Sequence, residues 1–291
     1  MQAVQTEIDL PPVELRKSLF AKSGELSMLP AVAAEALKLV KDPECTAARL
    51  SGVVEQDMQL ATDILTLANS AVFACGQPVA HLQQAIARLG FVQCRNLILS
   101  SSASSLMKKL PTGQDHVREK LWKHSVMTAT ACMHLNQTLR LGCNGEEYTA
   151  GLLHDLGRLL LAAADPDRFA QVDKLDFDET EDDLAAERAV FQIDHAAFGA
   201  WFASHNKLPE SLVSATAWHH EPTIDHPHQQ LIAVTAAGDH MANYLQRHGT
   251  SEGYQPQTNP GICALPQSVL LQFAGIAHKL MDDILAEVES H

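Results

Sequence analysis

The most constraining feature of this sequence is the stretch from Ala150 to Arg158, where a His154-Asp155 pair ends an apolar run and Gly157 follows. A histidine and a carboxylate held among leucines are at least half-buried, and without a partner they cost on the order of several kcal/mol. Neutral imidazole and carboxylate are both ligands of first-row metals, so a metal ion is one suitable partner. The alternative is a His-Asp hydrogen bond that only fixes helix packing. Further ligands elsewhere in the chain would favour the metal.

Length, composition and charge narrow the class of protein. The 291 residues fit one large domain or two modest lobes, and the 46% apolar content supplies a sizeable core. The net charge of −14 disfavours binding to the phosphate backbone of nucleic acids and to anionic membranes. A metal site would still be locally positive, so a small phosphate ester remains a candidate ligand.

Cysteine usage and the N-terminus indicate a cytoplasmic protein. The six cysteines are widely spread, form no CxxC motif and lie inside apolar runs. We therefore predict reduced core cysteines and no disulfide framework. The segment from Met1 to Asp9 has neither a basic region nor an apolar run, so we expect no secretory signal peptide.

Hydrophobic periodicity predicts an all-α fold of two helical lobes. Apolar residues recur at helical spacing, as in the stripe of Leu60, Ile64 and Leu67, and no strand-like alternation persists. The stretch Pro111–Gly113 is the best internal boundary. We expect an N-terminal lobe over residues 20–110, a second lobe over 115–245, and a loop with a last helix in 246–291.

Local signals mark helix ends and loops. Thr46 is a predicted helix cap, and Gly90 is predicted to follow the end of a helix. The acidic stretch 165–183 is typical of a solvated face or loop. The Gly-, Pro- and Gln-rich stretch 247–263 predicts a mobile loop.

Seven histidines and aspartates lie within predicted helices or at their ends, and a helical bundle can bring such side chains together in its core. These candidate metal ligands are His124, His154, Asp155, His195, His219, His220 and Asp239. Five imidazoles and two carboxylates are about what two first-row metals need when one carboxylate bridges them. Each histidine alone is more often structural than a ligand, so the set is better evidence than any member.

The order of these residues resembles the HD superfamily of metal-dependent phosphohydrolases, closest to its HD-GYP cyclic-dinucleotide phosphodiesterase branch and the related HDOD domains. Landmarks of the first half favour HDOD and extend the resemblance over residues 20–245, with an HD-like second lobe. The matching stretches are Leu29-Pro30, Asp42-Pro43, 55–57, 67–70, 85–90, 122–125, 151–157 and 219–222.

The resemblance implies a two-metal site. His124, His154, Asp155 and Asp239 would hold one metal, and Asp155 would bridge to a second metal held by His195, His219 and His220. Many HDOD domains have lost parts of this set and are regulatory modules in bacterial signalling. This sequence keeps all seven positions, which keeps catalysis under consideration.

Three departures from the phosphodiesterase branch are visible. Arg158 stands where that branch has lysine, and it would still be able to stabilise phosphoryl oxygens as a catalytic residue beside Asp155. Lys120 stands where that branch has a glutamate, which argues against a third metal. The Gly-Tyr-Pro loop is missing after Glu221, so cyclic-dinucleotide specificity does not carry over.

Three hypotheses remain open. The favoured one is a regulatory module that binds one or two divalent first-row ions (Fe, Mn, Zn or Ni) and acts on a separate signalling protein through its first lobe. The second is a working phosphohydrolase in which the metals activate water for attack on phosphorus. The third is a metal-free helical scaffold whose histidines pair with carboxylates.

Overall fold

The computed structural model describes residues 9–23, 30–70, 73, 77–178 and 181–289, and these contain helices and no strand. The all-α prediction is therefore confirmed. The helices are α1 (Val13–Ser23), α2 (Ala31–Val40), α3 (Ala47–Val54), α4 (Met58–Asn69), α5 (Leu82–Lys109), α6 (Asp115–Leu139), α7 (Glu147–Leu153), α8 (Leu156–Ala164), α9 (Pro166–Val172), α10 (Glu181–Phe191), α11 (His195–His205), α12 (Glu210–Trp218), α13 (Gln229–His248), α14 (Pro260–Cys263), α15 (Gln267–Ala274) and α16 (Ala277–Glu289), with a 3-10 turn at Pro256–Thr258.

The chain divides into two compact units. One spans residues 27–106, and the other joins residues 1–26 to residues 107–291. The division falls near the end of α5, a few residues before the Pro111–Gly113 stretch that joins α5 to α6. Within α5, Gly90 has φ 77 and interrupts the helix, because glycine tolerates this left-handed conformation.

The smaller unit follows its sequence signals closely. Thr46 caps α3 by accepting a hydrogen bond from the amide of Arg49, as predicted. In α4 Leu60 and Ile64 of the predicted stripe are buried together with Ala68, while Leu67 is only half-buried at the edge of this inner face.

The larger unit places α8 at its centre. Every residue from Leu156 to Ala164 is buried, which accounts for the apolar run after the His-Asp pair. Helix α6 packs on α7 and α13, and α11 packs on α8 and α12. Gly157 allows the contact between α8 and α11, because an added Cβ would overlap the carbonyl oxygen of His195. These packed helices carry all seven candidate ligands.

The structure adds detail to one local prediction and contradicts another. Residues 247–263, predicted to be a mobile loop, hold the 3-10 turn and α14, and buried Asn259 donates to Tyr254 Oη (2.9 Å) and to the Ala237 carbonyl (3.0 Å). Cys263 is exposed, although the cysteines were predicted to lie in the core. Cys75 lies outside the described residues. The other described cysteines are buried and unpaired, namely Cys45, Cys94, Cys132 and Cys143.

Within the described ranges, no helix is both long and apolar enough to cross a membrane.

Candidate metal centre

Six helices of the larger unit position the predicted ligands. The two adjacent pairs sit at helix ends, where the chain turns and both side chains of a pair can face inward. His124 lies in α6, His154 and Asp155 in the break between α7 and α8, His195 at the start of α11, His219 and His220 after α12, and Asp239 in α13.

The structure brings all seven predicted ligands together in three overlapping groups. Within each group the candidate ligand atoms lie within 4.8 Å of one another. The groups are His124, His154 and Asp239; His154, Asp155 and His219; and His195, His219 and His220. Six of the seven residues are buried, and His220 is half-buried. The three groups share His154 and His219 and therefore form one continuous centre.

Asp155 belongs to the middle group and lies between the group of His124 and the group of His195. Its Oδ1 is 3.3 Å from His195 Nε2, 3.6 Å from His154 Nε2 and 3.7 Å from His219 Nε2. Its Oδ2 is 3.6 Å from His124 Nε2. One carboxylate thus faces histidines of both groups, which is the position a bridging ligand would need.

Two of the histidines are oriented by backbone carbonyls of the helices that they end. His154 Nδ1 donates to the carbonyl oxygen of Gly151 at 2.7 Å, and His219 Nδ1 donates to that of Thr216 at 2.8 Å. Both carbonyls are among the last groups of a helix, which have no partner within it. With Nδ1 as the donor, each ring turns Nε2 into the centre.

Two further histidines are oriented by side chains. His195 Nδ1 lies 2.9 Å from a carboxylate oxygen of Glu187, which also accepts from the His195 amide at 2.7 Å. His124 Nδ1 lies 3.2 Å from Gln246 Oε1. Carboxylate or amide partners of this kind fix the ring and raise the basicity of the inward nitrogen at metal sites.

The inward atoms fit a divalent cation. Asp155 Oδ1 and His219 Nε2 are buried with no hydrogen-bond partner, which is costly unless something else binds them. Nε2 of His124 lies 3.2 Å from Nε2 of His154, and Nε2 of His220 lies 2.9 Å from Nε2 of His195. Two imidazole nitrogens bound to one ion at about 2.0–2.1 Å lie roughly 3 Å apart.

The carboxylates of the centre raise the pKa values of two histidines. Burial works to lower the pKa of His154, but Asp155 and Asp239 outweigh it and raise that pKa to about 9. Burial likewise opposes protonation of His195, yet Glu187 and Asp155 hold its pKa well above the usual value. The carboxylates of Asp155, Asp239 and Glu187 thus favour the charged form of these two rings in the metal-free centre.

The pKa values of His219, His220, Asp155 and Asp239 shift in the opposite direction. Burial and the neighbouring His219 and His195 hold the pKa of His220 well below its usual value. Burial alone would raise the pKa of Asp155, but His154 and Arg158 lower it well below the usual range. Asp155 is therefore a permanent carboxylate at neutral pH, as a metal ligand must be.

Arg158 is buried and engaged by carboxylates. Its Nη1 donates to Asp155 Oδ2 at 2.8 Å, while Nε and Nη2 donate to the two oxygens of Asp173 at 2.8 and 3.0 Å. Arg158 thus lies beside Asp155 as predicted, but its donors face protein carboxylates. Lys120 is exposed and belongs to none of the three ligand groups.

Sequence reasoning missed several residues around the centre. Asn243 donates to Asp239 Oδ1 at 2.9 Å, and Gln246 supports His124. Both follow Asp239 by four and seven residues on one helical face, so that spacing was an available signal. No sequence signal pointed to Glu187 or Asp173, because each reaches the centre from a neighbouring helix or loop.

The fold and the site together define a class: an all-helical protein with a compact centre of histidines and aspartates. Comparison with known protein families narrows this class to one family. The sequence model of the HDOD domain matches residues 26–222, and the chain belongs to the HDOD domain family. The match ends before Asp239, which the resemblance had placed inside the domain.

Solved structures share this fold. An HDOD domain protein of unknown function from Geobacter sulfurreducens superposes with a TM-score of 0.71 at 21% identity, covering 94% of this chain and 96% of that one. A candidate phosphohydrolase from Shewanella amazonensis gives 0.63 at 24% identity, with 93% and 97% covered. A candidate signal transduction protein from Marinobacter aquaeolei gives 0.64 at 21% identity, with 95% and 64% covered. At these identities the likeness shows the fold alone.

A curated relative is longer than this chain. An uncharacterised protein from Treponema pallidum is 24% identical over 241 residues, which are 82% of this chain and 46% of that protein. The chain therefore spans about half the length of the relative it matches.

Proposed function

We propose that this chain is a metal-binding regulatory module of bacterial signal transduction. In it an HD-type centre holds one or two divalent first-row ions, with iron, manganese, zinc and nickel as the candidates. The seven residues His124, His154, Asp155, His195, His219, His220 and Asp239 would hold them. A signalling protein would be its partner.

The observation that carries this proposal is the unsatisfied polar interior. Asp155 Oδ1 and His219 Nε2 have no hydrogen-bond partner although both are buried. An unpaired buried polar atom costs about 1–3 kcal/mol, and an ion bound by both atoms would remove that cost. The orienting bonds to Nδ1 of four histidines support the same conclusion, since they direct Nε2 of each ring into the centre.

The closed surroundings favour a regulator over an enzyme. Six of the seven proposed ligands are buried, so a substrate has little access to them. Arg158, the residue proposed to stabilise phosphoryl oxygens, is already paired with Asp155 and Asp173. The substrate-recognition loop of the phosphodiesterase branch is also missing after Glu221.

A metal-dependent phosphohydrolase is the second candidate function. The full ligand set and the central position of Asp155 favour it. Bound metals would supply an activated water and polarise a phosphoryl oxygen. Asp155 would orient both ions, and Arg158 would stabilise developing charge on phosphate if it were released from Asp173.

A turnover assay separates the two functions. Metal-loaded protein is incubated with bis(p-nitrophenyl) phosphate, p-nitrophenyl phosphate, nucleotides and cyclic dinucleotides, with free metal as the blank. We expect no turnover above the blank. Metal-dependent turnover that is lost in Asp155→Ala, and that falls roughly ten- to a thousandfold in Arg158→Ala, would establish the hydrolase instead.

A further inference from the structure

The segment of residues 173–178 between α9 and α10, here called the strap, packs onto the metal centre. It belongs to the acidic stretch predicted to be solvated, yet Leu175 is 9% exposed and Phe177 is 3% exposed. Leu175 and Phe177 have φ of 55 and 57, in the left-handed region that side chains disfavour. Strained residues that persist usually do so because surrounding contacts fix them, and they cluster at functional sites.

The first of these contacts is an ion pair at one end of the strap. Asp173 presents both carboxylate oxygens to Nε and Nη2 of Arg158, at 2.8 and 3.0 Å. This two-point geometry is the one by which arginine binds phosphate. The side chain of Asp173 is only 6% exposed, and its Oδ1 also accepts from the Leu175 amide at 2.8 Å.

The second contact is aromatic. The Phe177 ring stacks on His124, with centroids 4.8 Å apart and planes 23° apart. The same ring lies under the Arg158 guanidinium, 5.2 Å from its carbon. Phe177 thus contacts both a proposed metal ligand and the arginine beside it. At the far end of the strap, Asp178 pairs with Arg247 of α13.

The space left beside the strap is small. A cleft of about 30 Å³ is lined by Arg158, Asp173, Phe177, Glu187 and His195, together with other strap and α10 residues. A volume of this size corresponds to a water molecule or two. With the strap in place, the position facing Arg158 is taken by the Asp173 carboxylate.

We propose that the strap is an internal, competing ligand of the centre. The Asp173 carboxylate occupies the anion position on Arg158 that a phosphate group would take, and Phe177 covers His124 at the same time. Phosphate-bearing ligands and the strap therefore exclude one another, and a ligand of that class would release the strap. This inference rests on the proposed function for its role in signalling, but the competition at Arg158 is testable without metal.

The test compares Asp173→Ala with Asp176→Ala. Both variants remove one negative charge from the strap, but Asp176 is exposed and its Oδ1 accepts from the Asp178 amide. Inorganic phosphate is titrated into metal-loaded and metal-free protein by calorimetry. We expect Asp173→Ala to bind phosphate at least about tenfold more tightly than the parent, because the binding-competent fraction rises when its competitor is removed. Asp176→Ala should match the parent, and Arg158→Ala added to Asp173→Ala should abolish the gain.

A second readout follows metal release. Metal-loaded protein is mixed with excess chelator, and Asp173→Ala should release metal several-fold faster than the parent or Asp176→Ala, because the strap covers the centre. Asp173→Asn serves as the variant of matched shape if Asp173→Ala does not fold. Independently of any variant, millimolar phosphate should increase amide hydrogen exchange within residues 173–178 of the parent.

The outcomes are distinguishable. Unchanged phosphate affinity in both Asp173 variants, or unchanged strap exchange in the parent with phosphate, would overturn the strap proposal and leave the metal centre intact. Failure of the parent to bind any metal would overturn the proposed function, while the metal-free titration would still decide whether Asp173 competes with phosphate.

Discussion

At the residue scale, hydrogen bonds to Nδ1 decide which nitrogen four of the five candidate histidines turn into the centre. Glu187 is the strongest example, because its carboxylate binds both the ring and the amide of His195. Sequence patterns found His195 but not Glu187, since eight residues and a helix break separate them and no periodicity links them. The candidate ligands were thus chosen from residue type and order, whereas the residues that orient them depend on tertiary contacts.

Replacing Glu187 should weaken metal binding without touching a ligand. We expect Glu187→Ala to lower metal affinity by about 10–100-fold, the usual effect of losing such a support. Glu187→Gln keeps an acceptor for the ring and should lose less. Affinity is measured by competition with a chromogenic chelator. Asp182→Ala is the control, because Asp182 is an exposed carboxylate on the same helix. Equal affinity in Glu187→Ala and the parent would count against the support role.

Metal affinity should also depend on pH. The pKa of His154 is raised to about 9, and that of His195 is well above its usual value. Both rings therefore hold protons at neutral pH in the metal-free protein, and an incoming ion must displace them. Affinity should rise from about pH 6 to about pH 9, with proton release that calorimetry detects in buffers of different ionisation enthalpy. A metal affinity that does not change with pH, with no proton release on binding, would contradict this account.

The same pKa shifts determine the direction in which the stability of the metal-free protein changes with pH. Raised folded-state pKa values make a contribution to the stability of the metal-free protein that is fully present below the unfolded value of about 6.5. That contribution is lost as the pH rises through the folded-state values, about 9 for His154. Metal loading should remove this dependence, because the ion then takes the place of the protons.

At the element scale, close helix contacts set the positions of the ligands. Gly157 of α8 packs directly against the start of α11, and Gly199 of α11 packs against Gly157 in return. The sequence predicted the helices from their apolar spacing, but it gave no measure of how closely they approach. In the strap, composition alone was misleading. Its acidic residues predicted a solvated segment, but specific contacts bury the side chains of Phe177 and Asp173.

Substituting Gly157 tests the α8–α11 contact. We expect Gly157→Ala to destabilise the protein by about 1–3 kcal/mol, the range for overpacking a core. It should also lower metal content, because the new methyl group displaces the backbone of His195. Urea unfolding and elemental analysis measure the two effects. Gly52→Ala is the control: Gly52 lies in helix α3 with open space around it, so alanine there should be neutral or stabilising.

At the scale of the whole molecule, one compact unit holds the entire centre. Its candidate ligands are spread along more than a third of the chain, from His124 to Asp239. Sequence order was sufficient to predict that these residues meet, because each sits on or at the end of a helix and the family resemblance supplied the arrangement. The boundaries proposed from sequence, 20–110 and 115–245, remain a prediction. The competition at Arg158 could not be foreseen, because it depends on a loop that carries no motif.

The central claim is that these seven residues hold metal, and elemental analysis of protein purified without chelator tests it most directly. We predict one or two equivalents of iron, manganese, zinc or nickel per chain. His154→Ala should lose part of this metal, Asp155→Ala should lose metal from both groups because it lies between them, and His278→Ala, an exposed histidine far from the ligand set in sequence, should keep all of it. No metal in the parent after supplementation with each ion, or unchanged content in both His154→Ala and Asp155→Ala, would contradict the claim.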